Sequence, residues 1–317
     1  MMHARAFWMI APGHGELRTE LLPDPKADQL LVRALATGVS RGTEALVFAG
    51  RVPPSQYKAM RAPLMAGDFP FPVKYGYSLV GCAPDGKRVF ALHPHQDIAV
   101  TPAAMAIRVP PDVPTHRAVL AANMETAVNL LWDAVPLVGE RMLVIGAGVI
   151  GLLTASLLAR ISPARVTVVD IDPSRADLAT RLGCCFAAPS DAPHDQDLIV
   201  HASASEAGLR LALDCAGFEA RVIEASWFGD HAPSLPLGEG FHARRLRLIA
   251  SQVGAVAPPM RGRRSHAERL ALALELLADP VYDLMLDGTT RFDAMPEAMP
   301  RILAPGGLCH VITYGDP

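Results

Sequence analysis

The sequence predicts an α/β protein in two parts, a β-rich barrel-like unit and a doubly wound parallel sheet. Three observations carry that reading. The chain has 317 residues, roughly two domains at about 150 residues each. Its first third is cut into short β-type runs by Pro and Gly, whereas from about residue 116 apolar runs alternate with amphipathic ones. At 142–151 a strand-like run passes directly into Gly-Ala-Gly-Val-Ile-Gly.

Taken in order, the β-type runs of the first part are 4–10, 30–40, 74–81, 87–93 and 98–102, with turn signals such as Pro23-Asp24-Pro25 and Asp85-Gly86 between them. Residues 116–135 have helical spacing and stop at Pro136. Strands are then expected at 142–148, 166–172, 197–203, 220–229 and 246–254, with helices from 149 to 159 and across 174–183 and 206–217. Such alternation implies parallel strands covered by helices on both faces. A helix over 267–278 carries Leu270, Leu274 and Leu277 at core spacing. The tail 291–315 reads as a helix and one last strand.

Composition narrows the function. Half of the residues are hydrophobic and 19% are charged, enough apolar side chain to offset the entropy of ordering. The 29 basic and 32 acidic residues give a net charge of −3, so no global field invites nucleic acid or an anionic membrane. Five cysteines without a CxxC pair argue against a disulfide framework and a zinc ribbon. The apolar run 6–11 is too short for a signal-peptide core, and a cytoplasmic setting is expected. Residues 142–159 are eighteen without a charge, the length of a membrane span. The glycine motif inside the run makes strand, turn and helix the better reading.

Each glycine of that motif has a mechanical reason. Gly146 permits the tight turn, Gly148 lets a pyrophosphate approach the backbone, and Gly151 lets the helix pack closely on the strand. The N–H groups at Val149 and Ile150 open the helix and face the phosphates. Asp170 follows Gly151 by 19 residues at the end of the second strand, where a carboxylate accepts from both ribose hydroxyls and repels a 2′-phosphate. This is the Rossmann pattern, and it favours NAD(H) over NADP(H). Ser203, at the end of the strand 197–203, joins the cofactor-binding candidates.

With these residues in view, the chain resembles the medium-chain dehydrogenase/reductase superfamily, the zinc-type alcohol dehydrogenase-like one, over essentially its full length. The segments that carry the likeness are 36–44 (ATGVSRGTE), 74–81 (KYGYSLVG), 87–90 (KRVF), Thr126-Ala127, the glycine motif with Asp170, 251–254 (SQVG) and the final strand. The resemblance implies a GroES-like catalytic domain from residues 1–122 plus 265–317 and a Rossmann domain from 123–264, with the nicotinamide in the cleft between them. It implies that Thr126 lines the nicotinamide pocket and that the backbone of Ser251, Gln252 and Val253 holds the carboxamide. Zinc-dependent members carry Cys at the position of Ser40, a His-Glu pair at Tyr77-Ser78 and a third ligand near Ala122, and they have a four-cysteine lobe that is missing here. A hydroxyl, a phenol and a methyl do not make a zinc site, so a zinc-free member is expected. The segment 50–54 (GRVPP) with the Gly-Thr-Glu pattern is distantly similar to bacteriochlorophyllide a dehydrogenase, but 93–96 (HPHQ) departs from it and its substrate is not carried over.

Without a metal, hydrogen-bond donors must stabilise an alkoxide. The resemblance places Ser40, Thr43 and Tyr77 at the reacting carbon, with Tyr77 or Ser40 donating to the substrate oxygen and Thr43 relaying to the ribose. His93, in the triplet His93-Pro94-His95 past a strand, is a further acid/base candidate. Glu44 is expected to brace the active-site loop. Glu125 is a candidate site carboxylate, with a helix-surface role the alternative. Six arginines at 244, 245, 247, 261, 263 and 264 without an intervening acid are either solvated charge or reach a carboxylate or phosphate on cofactor or substrate, which would favour an acidic small-molecule substrate. The loop 52–71 is a candidate lid. A homodimer follows by analogy alone. The expected function is zinc-independent interconversion of an alcohol and its carbonyl with NAD(H). Two others stay open: an NADPH-dependent quinone or C=C reductase, and a catalytically silent dinucleotide-binding protein.

Overall fold

A computed structural model describes residues 2–161 and 165–315. In chain order the elements are β1 (Met2–Ala11), β2 (His14–Leu22), β3 (Gln29–Val39), α1 (Arg41–Phe48), β4 (Ala66–Gly67), β5 (Val73–Lys74), β6 (Leu79–Cys82), β7 (Arg88–Ala91), β8 (Ile98–Pro102), β9 (Ile107–Arg108) and α2 (Thr115–Ala118). There follow α3 (Ala121–Ala134), β10 (Met142–Ile145), α4 (Val149–Ile161), β11 (Val166–Val169), α5 (Ala176–Arg181), β12 (Cys185–Ala187), β13 (Gln196–His201), α6 (Glu206–Cys215), β14 (Ala216–Glu224) and β15 (Arg247–Ala250). The last are α7 (His266–Leu276), β16 (Leu286–Arg291), α8 (Met295–Ile302) and β17 (Cys309–Thr313). Two compact units result, residues 1–122 with 270–317, and residues 123–269.

The first unit is built on antiparallel pairing, except that β16 runs parallel to β17. One sheet runs β2-β1-β5-β4, and a second runs β16-β17-β3-β6-β7-β9 with β8 also on β3. The long strand β3 is the organiser: residues 29–33 pair with β8, 33–37 with β6, and 36–39 with β17. Its inward side chains Val32 and Ala34 meet Leu79, Val89 and Ala99 in one buried cluster. Gly81 is forced by this packing, since a Cβ there would lie 2.4 Å from the Arg33 carbonyl oxygen. The chain ends of β3 and β17 thereby hold the turn at Ser40, immediately after Val39, against the paired His310.

The second unit is a six-stranded parallel sheet in the order β12-β11-β10-β13-β14-β15. Strand order reverses at β10, which pairs with β11 on one side and β13 on the other. Ligands bind such sheets outside the carboxyl ends of the strands at that point. The strand residues 142–145 are all buried, as a sheet covered on both faces requires. The charge-free run 142–159 is thus a four-residue strand, a glycine turn and a helix. Among the described residues no helix is long and apolar enough to cross a membrane.

Four expectations are corrected. β2 and β16 are strands the sequence reading passed over, because half-burial of polar residues leaves little apolar alternation in them. The helix over 116–135 is two helices, broken where the Ser78 hydroxyl takes the Val119 carbonyl and Gly38 packs on that residue. The strand expected across 74–81 is limited to β5 and β6, with the Gly76 turn between them. The later unit boundary falls at 270 and not at 265, because Arg269 turns back into the second unit. Leu270, Leu274 and Leu277 are buried as their spacing implied.

Candidate functional site

The glycine turn after β10 separates three roles. Gly146 has φ +108°, and a Cβ there would meet the Ala202–Ser203 backbone at 2.8 Å. A Cβ on Gly151 would stand 1.8 Å from the Gly146 carbonyl oxygen, so α4 sits against the turn through bare backbone. Gly148 faces open space, with nothing within 4 Å of where its Cβ would be. Val149 and Ile150 open α4 just beyond it. Two glycines are therefore demanded by the protein's own packing, and the third leaves the helix N-terminus bare. That is a place where an anion can touch backbone N–H groups.

Asp170 faces this turn. Its Oδ2 accepts from the Ala147 N–H at 2.6 Å and its Oδ1 from the Asp172 N–H at 2.8 Å. A carboxylate has about four acceptor positions, so lone pairs remain on both oxygens. The next residue, Ile171, is 88% exposed. Ser203 lies in a polar chain on the other side of the turn. The His201 ring, wholly buried, is 2.7 Å from the Ser203 hydroxyl through Nε2 and 2.8 Å from Glu224 through Nδ1.

Ser251 continues β15, donating its N–H to the Glu224 carbonyl and its hydroxyl to Asp133. The Gln252 side chain accepts from the Gly254 N–H at 2.7 Å. The Val253 carbonyl accepts from Arg269, whose guanidinium also reaches Ala255, Asn129 and, at 3.0 Å, Glu125. Glu125 is therefore neither a surface residue nor an open site carboxylate: it is buried and ion-paired, and desolvation raises its pKa. Thr126, its neighbour on α3, is half-buried. Arg269 was missed in the sequence, although it lies on the stripe 269, 270, 273, 274 that α7 buries. A cation on an apolar stripe is the signal that was there to read.

In the first unit Ser40, Thr43 and Tyr77 come together. Ser40 is the N-cap residue of α1, yet its hydroxyl makes no cap bond. It accepts instead from the Tyr77 phenol at 2.6 Å, and the Thr43 side chain also bonds that phenol. Desolvation pushes the Tyr77 pKa up to about 12, against the lowering effect of the two hydroxyl partners. The phenol stays protonated at neutral pH and acts as a donor. Tyr75 stacks edge-on to Tyr77 with centroids 6.0 Å apart, and Phe69 and Tyr57 continue the row at 5.8 and 5.6 Å. The loop 52–71 is thereby fastened to the Tyr77 face through its own aromatics.

His93 does not join them. It is buried, its Nδ1–H donates to the Pro94 carbonyl, and desolvation takes its pKa down to about 4. Its companion His95 is the one that reaches the cluster, through Glu44. Of the six arginines, Arg244 donates to the Asp214 and Ala216 carbonyls, Arg245 pairs with exposed Glu219, and Arg247, Arg261, Arg263 and Arg264 are exposed.

Zinc does not fit here. Positions 40 and 77 supply a hydroxyl and a phenol already bonded to one another, the Ser78 hydroxyl is spent on Val119, and Ala122 has no donor. None of these is a thiolate, imidazole or carboxylate. Among the described residues no group of three or more His, Cys, Asp or Glu could hold a metal ion. A nicotinamide dinucleotide does fit the turn at Gly148.

No family model matches the chain. In sequence it is 35% identical over 86 residues to an L-threonine 3-dehydrogenase of Shewanella frigidimarina, a match covering 26% of this chain and 24% of that protein. In structure it is similar to a Sinorhizobium meliloti protein classed as a zinc-binding dehydrogenase and solved with NADP (TM-score 0.79, 16% identity, 99% of this chain and 100% of that one). It is also similar to an alcohol dehydrogenase of Escherichia coli CFT073 solved with NADH (TM-score 0.78, 17% identity, 99% and 100%). With its β-rich GroES-like unit and its doubly wound Rossmann unit, the chain has the fold of the medium-chain dehydrogenase/reductase superfamily.

Proposed function

We propose that the protein is a zinc-independent, NAD(H)-dependent oxidoreductase that interconverts an alcohol and its carbonyl compound. The observation that carries the reading is the glycine turn, where packing fixes Gly146 and Gly151 and leaves Gly148 facing open space beside the Asp170 carboxylate. When bound there, the dinucleotide supplies hydride donation and acceptance at its nicotinamide. Val149 and Ile150 offer N–H groups to the pyrophosphate. Asp170 uses its remaining lone pairs for the ribose diol and disfavours a 2′-phosphate, while exposed Ile171 gives the adenine an apolar face. Thr126, Ser203 and the backbone of Ser251, Gln252 and Val253 serve the ribose and nicotinamide end.

The chemistry at oxygen belongs to the hydroxyl cluster. A phenol whose pKa is pushed up to about 12 stays protonated, and its single O–H, given to Ser40 at rest, turns to the substrate oxygen as charge builds there. Ser40 and Thr43 orient it. One protocol tests the whole: NADH and NADPH titration, metal analysis, and a panel of alcohols and ketones with metal-stripped protein and Tyr77→Phe. Expected are NADH binding without NADPH, no stoichiometric zinc, and turnover that falls about 10²-fold or more in Tyr77→Phe with NADH affinity unchanged. Stoichiometric zinc, or a Tyr77→Phe variant at full rate, overturns the mechanism. NADPH binding alone selects the quinone or C=C reductase, and dinucleotide binding without turnover selects the silent binder.

A further inference from the structure

Behind the hydroxyl cluster lies a chain of hydrogen-bonded polar groups. The Ser40 N–H donates to Glu44 Oε1 at 2.7 Å, and Glu44 Oε2 is 3.0 Å from His95 Nε2. His95 Nδ1 is 2.6 Å from the Thr37 hydroxyl, which is 3.2 Å from the Tyr314 phenol. Glu44, Thr37 and His95 are at most 1% exposed. In the tautomer with the proton on Nε2, His95 donates to Glu44, Thr37 donates to Nδ1 and Tyr314 donates to Thr37.

The His95 ring touches the second arm of the cluster as well. A Cβ on Gly76 would come within 2.9 Å of His95 Cδ2 and 3.0 Å of Nε2, so the ring lies flush on the backbone just before Tyr77. Gly76 has φ +120°, which only glycine holds without strain. The His95 main chain is itself anchored, its carbonyl accepting from the Phe7 N–H at 2.9 Å. One imidazole therefore bears on Ser40 through Glu44 and on Tyr77 through Gly76, the two partners of the 2.6 Å bond.

We propose that His95 is the positioning residue of the Ser40–Tyr77 pair, fixing the N-cap turn of α1 through Glu44 and the 76–77 turn through ring contact. The proposal rests on the oxidoreductase reading for its kinetic consequence but not for its structural one. A displacement of about 1 Å at a reacting group costs about 10²-fold in rate. His95→Leu keeps the volume and loses both bonds, whereas His95→Gln offers an amide donor to Glu44 and a carbonyl acceptor to Thr37.

The test measures kcat, KM and the NADH dissociation constant for both variants, together with their crystal structures. Expected for His95→Leu are a kcat about 10²-fold down, an unchanged NADH dissociation constant, and a Ser40–Tyr77 separation beyond hydrogen-bond range. His95→Gln restores the bond and most of kcat. Thr37→Val, a milder cut at the far nitrogen, gives a smaller fall of the same kind if His95→Leu does not fold. A His95→Leu or Thr37→Val protein with wild-type kcat, or one whose Ser40–Tyr77 bond is undisturbed, overturns the proposal. If the wild type turns over no alcohol or ketone, the oxidoreductase reading fails and the crystal structures alone decide the role of His95.

Discussion

Replacing Gly148 by alanine separates cofactor binding from folding at the level of one methyl group. The added Cβ meets nothing within 4 Å in the protein itself, so stability should change by no more than about 0.5 kcal/mol. In the proposed binding mode, in contrast, a dinucleotide pyrophosphate lies where that methyl projects. Overpacking of a close-fitting site costs about 1–3 kcal/mol, which is a weakening of about 5- to 150-fold at 1.4 kcal/mol per decade. Gly151→Ala is the opposite case. Its Cβ would sit 1.8 Å from a backbone oxygen that cannot rotate aside, so α4 must shift and more than about 3 kcal/mol of stability is lost. NADH fluorescence titration and urea melts on both variants check the pair. Wild-type NADH affinity in Gly148→Ala would refute the assignment of the open face to the pyrophosphate, and a wild-type melt for Gly151→Ala would refute the packing argument.

Three further outcomes are expected. His93 titrates near 4 in the folded chain and near 6.5 when unfolded, so its stabilising contribution is complete above pH 6.5 and is lost as pH falls towards 4. That lowering corresponds to about 3 kcal/mol, and urea midpoints between pH 7 and 4 should fall more steeply in the wild type than in His93→Gln. Arg269→Met strands buried Glu125 and frees the Val253 and Ala255 carbonyls, costing about 3–5 kcal/mol in urea unfolding and weakening NADH binding with it. Asp170→Ala removes the charge proposed to repel a 2′-phosphate, so the ratio of NADPH to NADH affinity should rise about tenfold or more. An unchanged ratio removes Asp170 from cofactor choice.

What could be read from the sequence was local. The strand, glycine turn and helix at 142–161 are contiguous, and the three glycines stand at fixed offsets. Parallel alternation from 142 to 254 is likewise a pattern of neighbours along the chain. The hydroxyl cluster was named through family positions, since nothing within 36–44 or 74–81 says that residue 40 meets residue 77. His95 shows the limit best. The triplet His93-Pro94-His95 offers two equivalent imidazoles, and only the pairing of the 95 backbone with β1 and the contact with Gly76 decide which one reaches Glu44. Arg269 was hidden for a different reason: its partners Glu125 and Asn129 lie 144 and 140 residues away, a separation that no periodicity encodes.

The pairing of β17 with β3 joins residues 36–39 to residues 310–313, and this sets a timetable for biogenesis. On the ribosome the second unit, a continuous segment of chain, has all its strands before the first unit has its final one. Until residues 310–313 emerge, the flank of β3 that leads into Ser40 has no neighbour and is open to stray strand addition. The turn at Ser40 therefore cannot be completed before residues 310–313 are made, and their loss would strike it at a distance of some 270 positions in sequence.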